Sequence, residues 1–124
     1  MGSTKNALKA YQVITDGSMA GDITSSVTNI QFMDNIGYQI SFIGTPTGTF
    51  EVQVSIDHMQ DAQGNVTNAG TWVAVALSPS PTASGSADDI YIDLNQLSAP
   101  WVRLFYDRTS GSGTCNAYIC GKSV

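Results

Sequence analysis

The stretch that decides the fold is Phe50-Glu-Val-Gln-Val-Ser-Ile-Asp57, in which apolar and polar residues alternate strictly. A period of two places the apolar side chains on one face of a β-strand and the polar side chains on the other. The segment Tyr38-Gln-Ile-Ser-Phe42 shows the same pattern upstream, and Ile90-Tyr-Ile-Asp-Leu94 shows it downstream. The sequence therefore predicts half-buried antiparallel strands.

Turn-forming residues separate these strands from further strand-like segments. The link Gly44–Thr49 contains glycine and proline, and it predicts a hairpin between the strands on either side. Near the C-terminus, Thr109–Gly113 predicts a second hairpin, between Trp101–Tyr106 and Thr114–Cys120. Both predictions rest on the tendency of consecutive strands to pair.

The remaining segments complete an all-β pattern. Trp72–Leu77 is apolar on both faces and predicts a central or sandwiched strand, whereas the proline-rich stretch Ser78–Ser86 predicts a loop. About eight strands and no segment with helical periodicity predict a single antiparallel β-sandwich of the jelly-roll type. We expect residues 1–124 to form one domain, in which residues 1–20 are either a first strand region or an extended N-terminal arm.

Composition excludes some classes of partner. Charged residues make up 12% of the chain, about half the usual share, and the net charge is −5. The five basic residues do not cluster, so we expect binding neither to nucleic acid, which needs a basic patch, nor to anionic membranes. A weakly charged surface does suit contact with neighbouring subunits, because few ions must be desolvated.

Candidate catalytic and metal-binding residues are sparse. His58 is the single histidine, and we expect it to lie exposed in a loop, because no nucleophile motif accompanies it. The run Asp61–Asn65 is similar to a calcium loop but lacks a downstream bidentate glutamate, so a plain hairpin loop is favoured. Cys115 and Cys120 are five residues apart, which predicts free thiols on opposite strand faces. We therefore predict no enzyme activity, no metal site and no cofactor.

Several large side chains have two readings. Trp72, Trp101, Tyr91 and Tyr106 suit either the core and an interface or a platform that stacks sugars. Arg103 lies among aromatic residues and suits an anchor between subunits or strands. Apolar residues also lie on the strand faces opposite the main core pattern, and we expect a second sheet, a neighbouring subunit or a capsid protein to bury them. The predicted interface residues are accordingly Val73, Val75, Leu77, Trp101, Arg103 and Phe105.

Longer phrases of the sequence add a family resemblance. They are Phe32–Ile40, Gly44–Asp57, Ile92–Leu97, Ala99–Tyr106 and a C-terminal set that includes Ser110–Thr114, Ala117–Ile119, Gly121 and Lys122. Over roughly residues 20–124, the chain resembles small virion-associated proteins of tailed bacteriophages. The resemblance implies a β-sandwich that occurs in many copies, commonly as trimers, on the head or tail surface. It implies no catalytic residues.

The sequence therefore predicts a non-enzymatic structural protein of a phage particle, most of all a capsid decoration protein. The expected partners are further copies of the chain, with a trimer favoured, and the major capsid protein or other virion proteins. The expected location is the virion, after assembly in the host cytoplasm. The alternative is a carbohydrate-binding or adhesion module whose surface aromatics bind a glycan.

Overall fold

The alternation of apolar residues is realised as two facing antiparallel sheets and a small hairpin. A computed structural model describes residues 7–123, and all the regular structure in this range is β-strand. No helix in this range is long and apolar enough to cross a membrane. The twelve strands are β1 (Ala7–Ser18), β2 (Ile23–Thr24), β3 (Thr28–Asn29), β4 (Asn35–Gly44), β5 (Thr47–Ser55), β6 (Met59–Gln60), β7 (Val66–Asn68), β8 (Val73–Ala74), β9 (Thr82–Ser84), β10 (Asp88–Asn95), β11 (Trp101–Ser110) and β12 (Gly113–Lys122).

The two large sheets have different strand orders. The four-stranded sheet has the order β1-β12-β4-β10. The six-stranded sheet has the order β2-β11-β5-β8, with β3 also paired to β11 and β9 also paired to β5. Strands β6 and β7 form the separate hairpin. The predicted all-β sandwich is thus confirmed, although the described residues form twelve strands instead of about eight.

The core lies between the sheets and is built from the inward-facing residues of both. Strand β4 contributes Ile36, Tyr38, Ile40 and Phe42, whose intervening neighbours face outward. The rings of Phe42 and Phe50 lie 5.8 Å apart across the sandwich, and Phe50 lies 4.8 Å from Tyr106. Burying each phenylalanine stabilises the fold by roughly 1.5–3 kcal/mol, which makes this aromatic contact a main link between the sheets.

Both predicted hairpins are wrong, because each link crosses from one sheet to the other. Strand β4 belongs to the four-stranded sheet and β5 to the six-stranded sheet, and the same holds for β12 and β11. The two links run side by side, and the Thr45 N–H donates to the Ser112 carbonyl at 2.8 Å. Glycine permits this approach: a Cβ on Gly113 would lie 2.1 Å from the Ile43 carbonyl oxygen. The turn residues therefore form a corner of the sandwich.

Three further expectations change in the structure. Within Trp72–Leu77 only β8 is a strand, and it lies at a sheet edge instead of the centre. The proline-rich segment predicted as a loop contains β9, which pairs with β5. Residues 7–18 form β1, paired along β12 through several bulges, and not an extended arm. Residues 1–6 of the expected arm lie outside the described residues.

Candidate functional site

The outer face of the six-stranded sheet holds a cluster of polar and aromatic side chains. Strand β5 presents Gln53 there and β11 presents Arg103, which lies directly opposite in the register. The Arg103 Nε–H donates to Gln53 Oε1 at 2.7 Å, and Gln53 Nε2 donates to Glu51 Oε1 at 2.6 Å. The Arg103 guanidinium also lies 4.3 Å above the ring of Trp72, in cation–π contact. The guanidinium group of Arg103 therefore has its contacts with Gln53 and Trp72 of its own chain.

His58 is the buried centre of this cluster, so its prediction as an exposed loop residue is wrong. Its ring lies 5.3 Å from the ring of Trp72 and 4.9 Å from that of Trp101. His58 Nδ1 lies 2.9 Å from the Ala69 carbonyl, which can only accept, so this nitrogen carries the proton. Gln60 Nε2 then donates to His58 Nε2 at 3.1 Å. Both ring nitrogens of His58 are thereby hydrogen-bonded within the chain.

A serine and an aspartate lie beside His58 but do not form a catalytic triad with it. The Ser55 hydroxyl donates to Asp57 Oδ1 at 2.9 Å and accepts from the backbone N–H of His58 at 3.1 Å. The Asp57 carboxylate also accepts from the Thr71 N–H at 2.7 Å. That backbone hydrogen bond, followed by the one from Ser55, lowers the pKa of Asp57. The three residues therefore fix the loop and do not pair a nucleophile with a base.

Glycine allows the returning chain to pass close to His58. Gly70 has φ +77°, and a Cβ there would lie 2.6 Å from the His58 nitrogen. Trp72 follows two residues later, and its Nε1 donates to the same Ala69 carbonyl that His58 contacts, at 3.0 Å. The segment between β5 and β8, which contains the β6–β7 hairpin and is called the β6–β7 excursion below, is thus folded back onto the sheet.

The predicted interface residues fall into three groups. Val75 and Leu77 pack against the core, so the expectation that they face away from it is wrong. Trp101, Arg103 and Phe105 are half-buried on the outer face, and the first two belong to the cluster around His58. Val73 is exposed at the edge strand β8, opposite Val54 of β5. Their role in an interface remains a prediction.

An apolar cleft opens beside Val73 at one end of the sandwich. This end cleft has a volume of about 380 Å³. Its most exposed apolar side chain is Ile56, at 76%. The charged group in its lining is Asp57, whose carboxylate already accepts two hydrogen bonds. The lining residues are Val54, Ser55, Ile56, Asp57, Thr71, Val73, Ser98 and Ala99.

The calcium-like run is a tight turn. Asp61 Oδ1 accepts from the N–H groups of Gln63 and Asn65, both at 2.9 Å. The turn closes the β6–β7 hairpin, as expected for a plain hairpin loop. Within residues 7–123, no three His, Cys, Asp or Glu side chains are grouped so as to hold a metal.

The two thiols are free, as predicted, and lie in different environments. Cys115 is buried and Cys120 is exposed, in keeping with opposite faces of β12. Burial raises the pKa of the Cys115 thiol to about 11. Cys115 is therefore a core side chain that remains a thiol at neutral pH.

The aromatic residues divide differently from the sequence-based expectation. Trp72 contacts both His58 and Arg103, and Tyr106 is fully buried, so both side chains are engaged within the chain. Tyr91 is exposed on the opposite side of the molecule, on the four-stranded sheet. Tyr118 of β12 is exposed on the same sheet and was missed, although its alternation with Ala117 and Ile119 marks it as outward-facing.

The fold and the site together define an all-β sandwich with a cluster around buried His58 on one outer face and an apolar cleft at one end. No protein-family profile and no curated protein sequence matches the chain. In structure it is similar to the SPBc2 prophage-derived protein YomS, with a TM-score of 0.54 and 10% identity over 98% of both chains. It is also similar to a chain of infectious bursal disease virus, Gx strain, with a TM-score of 0.56 and 12% identity. That match covers 98% of this chain and 33% of the viral one. At these identities the likeness concerns the fold.

Proposed function

We propose that the chain is a non-enzymatic structural protein of a bacteriophage particle, present in many copies as a decoration protein on the head surface. The observation that carries the proposal is the match along 98% of both chains to a prophage-derived protein. A second match to a chain from a virus supports the same class. The two free thiols suit assembly in a reducing host cytoplasm before the protein joins the virion.

The end cleft is the surface that further copies of the chain cover in this proposal. A chain with net charge −5 repels its own copies, so association is easiest where charges are fewest. The end cleft meets this condition, because Asp57 is the charged residue in its lining and is hydrogen-bonded internally. Exposed Ile56 and Val73 supply apolar area that gains from burial. The proposed assembly is a symmetric homo-oligomer, with a trimer favoured, that rests on the coat protein.

Light scattering of the purified protein tests the proposed oligomer. We expect about three times the chain mass of 13.1 kDa. The substitution Ile56→Asp places a charge in the end cleft and is expected to yield monomers, because an unpaired buried charge opposes association. The control is Ile43→Asp, at a residue that is 65% exposed at the opposite end of the sandwich, and it is expected to keep the oligomer. A monomeric wild-type protein at all concentrations contradicts the proposal.

A further inference from the structure

The outer face of the four-stranded sheet carries a row of exposed side chains that takes no part in the proposed contacts between copies of the chain. In the antiparallel register, Tyr118 of β12 lies opposite Gln39 of β4, and Gln39 lies opposite Tyr91 of β10. Tyr91 is 69% exposed and Tyr118 is 42% exposed. Two strand spacings separate the tyrosines by roughly 10 Å, with the amide between them. The row therefore offers two ring surfaces and a neutral hydrogen-bonding group side by side.

Open space beside the rings forms a groove along this row. A cavity of about 110 Å³ is lined by Gln39, Tyr91 and Tyr118, and one of about 220 Å³ runs past Tyr91 to Asp93. The Tyr91 ring lies across Gly37, where a Cβ would lie 3.1 Å from its Cε1 atom. The missing side chain at Gly37 thus lets the ring lie on the sheet, at the floor of the groove.

A polar cavity continues the groove along the same face. It has a volume of about 540 Å³, and Ser41, Thr114 and Asn116 line it with hydroxyl and amide groups. Asn116 is held in place, because Gln12 Nε2 and the Asp16 N–H both donate to its Oδ1 at 2.8 Å. Orientation is therefore fixed before any ligand arrives, which lowers the entropic cost of binding.

The charges on this face select among ligand classes. Asp16, Asp88, Asp89 and Asp93 line the cavities, and the cationic group in their lining is Lys122. Such a face repels phosphates and other anions. It also opposes a second copy placed on it through the same face, because like charges then meet. The nearby Asp93 carboxylate raises the pKa of the Tyr91 phenol.

From this geometry we infer that the Tyr91–Gln39–Tyr118 face binds a neutral oligosaccharide. The two rings stack on the apolar faces of sugar units, while Gln39 and Asn116 bond hydroxyl groups. This activity goes beyond the proposed structural role and stands independently of it. It also places the glycan site on the tyrosine face and not at the tryptophans, because Trp72 contacts His58 and Arg103 and Trp101 contacts His58.

Affinity electrophoresis through gels that contain neutral polysaccharides, followed by calorimetry with the matching hexasaccharides, tests this inference. The probes are β-1,4-glucan, β-1,4-xylan, α-1,4-glucan and soluble chitin oligomers. We expect retardation by at least one of them, with an affinity that added salt leaves unchanged, because the ligand carries no charge. No retardation by any of the four overturns the inference.

Three substitutions locate the binding surface. Tyr91→Ala is expected to weaken binding about tenfold, whereas Tyr91→Phe keeps the ring and keeps most of the affinity. Phe32→Ala is the matched control, because Phe32 is 68% exposed and lies outside the three cavities. Binding that survives Tyr91→Ala, or that Phe32→Ala weakens equally, overturns the assignment. A change of oligomeric mass in Tyr91→Ala, measured by light scattering, assigns the face to self-association and also overturns it.

Discussion

At the residue scale, the hydroxyl group of Tyr38 destabilises the folded state. It is fully buried, and its hydroxyl has no hydrogen-bond partner among residues 7–123. Burying a hydroxyl group without a partner costs free energy, because its hydrogen bonds to water are lost. Removing the hydroxyl removes this cost. We therefore expect Tyr38→Phe to leave the free energy of unfolding unchanged or to raise it by about 1 kcal/mol at pH 7. Urea unfolding followed by circular dichroism measures this, and a loss of 2 kcal/mol or more, which is about the cost of leaving a buried group unpaired, contradicts it.

The same residue gives the protein a predicted pH dependence. Burial raises the pKa of Tyr38, whereas in the unfolded chain a tyrosine ionises near pH 10. Above that pH the unfolded state releases a proton that the folded state retains, so stability falls as pH rises. The free energy of unfolding is therefore unaffected by this group below about pH 10 and falls progressively above it. Between neutral pH and about pH 10.5, Tyr38→Phe is therefore expected to lose less stability than wild type. Equal losses in both proteins contradict this account.

Single residues also show where sequence reasoning stops. The opposite faces of Cys115 and Cys120 follow from a period of two within one strand, so the sequence predicts them. The burial of His58 depends on Trp72 and Trp101, which are 14 and 43 positions further along the chain. Local composition carries no record of such contacts, so His58 resembles an ordinary loop residue.

At the element scale, the β6–β7 excursion contains two glycines at which substitution by alanine distinguishes the cost of backbone strain from the cost of a steric clash. Gly64 and Gly70 both have positive φ, at +83° and +77°. A Cβ on Gly64 meets nothing within 4 Å, whereas one on Gly70 meets His58. We expect Gly64→Ala to cost about 1 kcal/mol from the left-handed backbone alone. Gly70→Ala is expected to cost at least about twice as much, because the clash adds to the strain.

Chemical denaturation of the two variants measures this difference, with tryptophan fluorescence as the probe. Trp72 and Trp101 both contact His58, so their emission reports the cluster directly. Equal costs for the two substitutions indicate that the excursion does not lie against His58 as described.

Elements were predicted better than their partners. The alternation in β4, β5 and β10 identifies the strands and most of their inward residues, because a period of two fixes the face. Ile56 is the exception, because β5 ends at Ser55 and Ile56 is exposed. It does not fix which strand lies alongside, and both expected hairpins proved to be crossings between sheets. Trp72–Leu77 shows the same limit: Val75 and Leu77 face the core, but β8 lies at an edge, so apolar residues on both faces did not indicate a central strand.

At the scale of the whole molecule, the two outer faces and the open end differ in chemistry. One face is filled by its own His58 cluster, the other presents exposed tyrosines, and the end cleft is apolar with little charge. The proposed oligomer needs one surface for contact between its copies and leaves another in solvent. The end cleft and the tyrosine face provide these two surfaces in the proposed assembly.

We propose that this chain is a repeated structural component of a phage particle. Quantitative mass spectrometry of phage particles, purified from a lysate of cells that carry the gene for the chain, tests this proposal most directly. We expect many copies per particle, at a ratio to the major coat protein that lattice symmetry fixes and that stays constant between preparations. Absence of the chain from purified particles, or traces that vary from one preparation to the next, would contradict it.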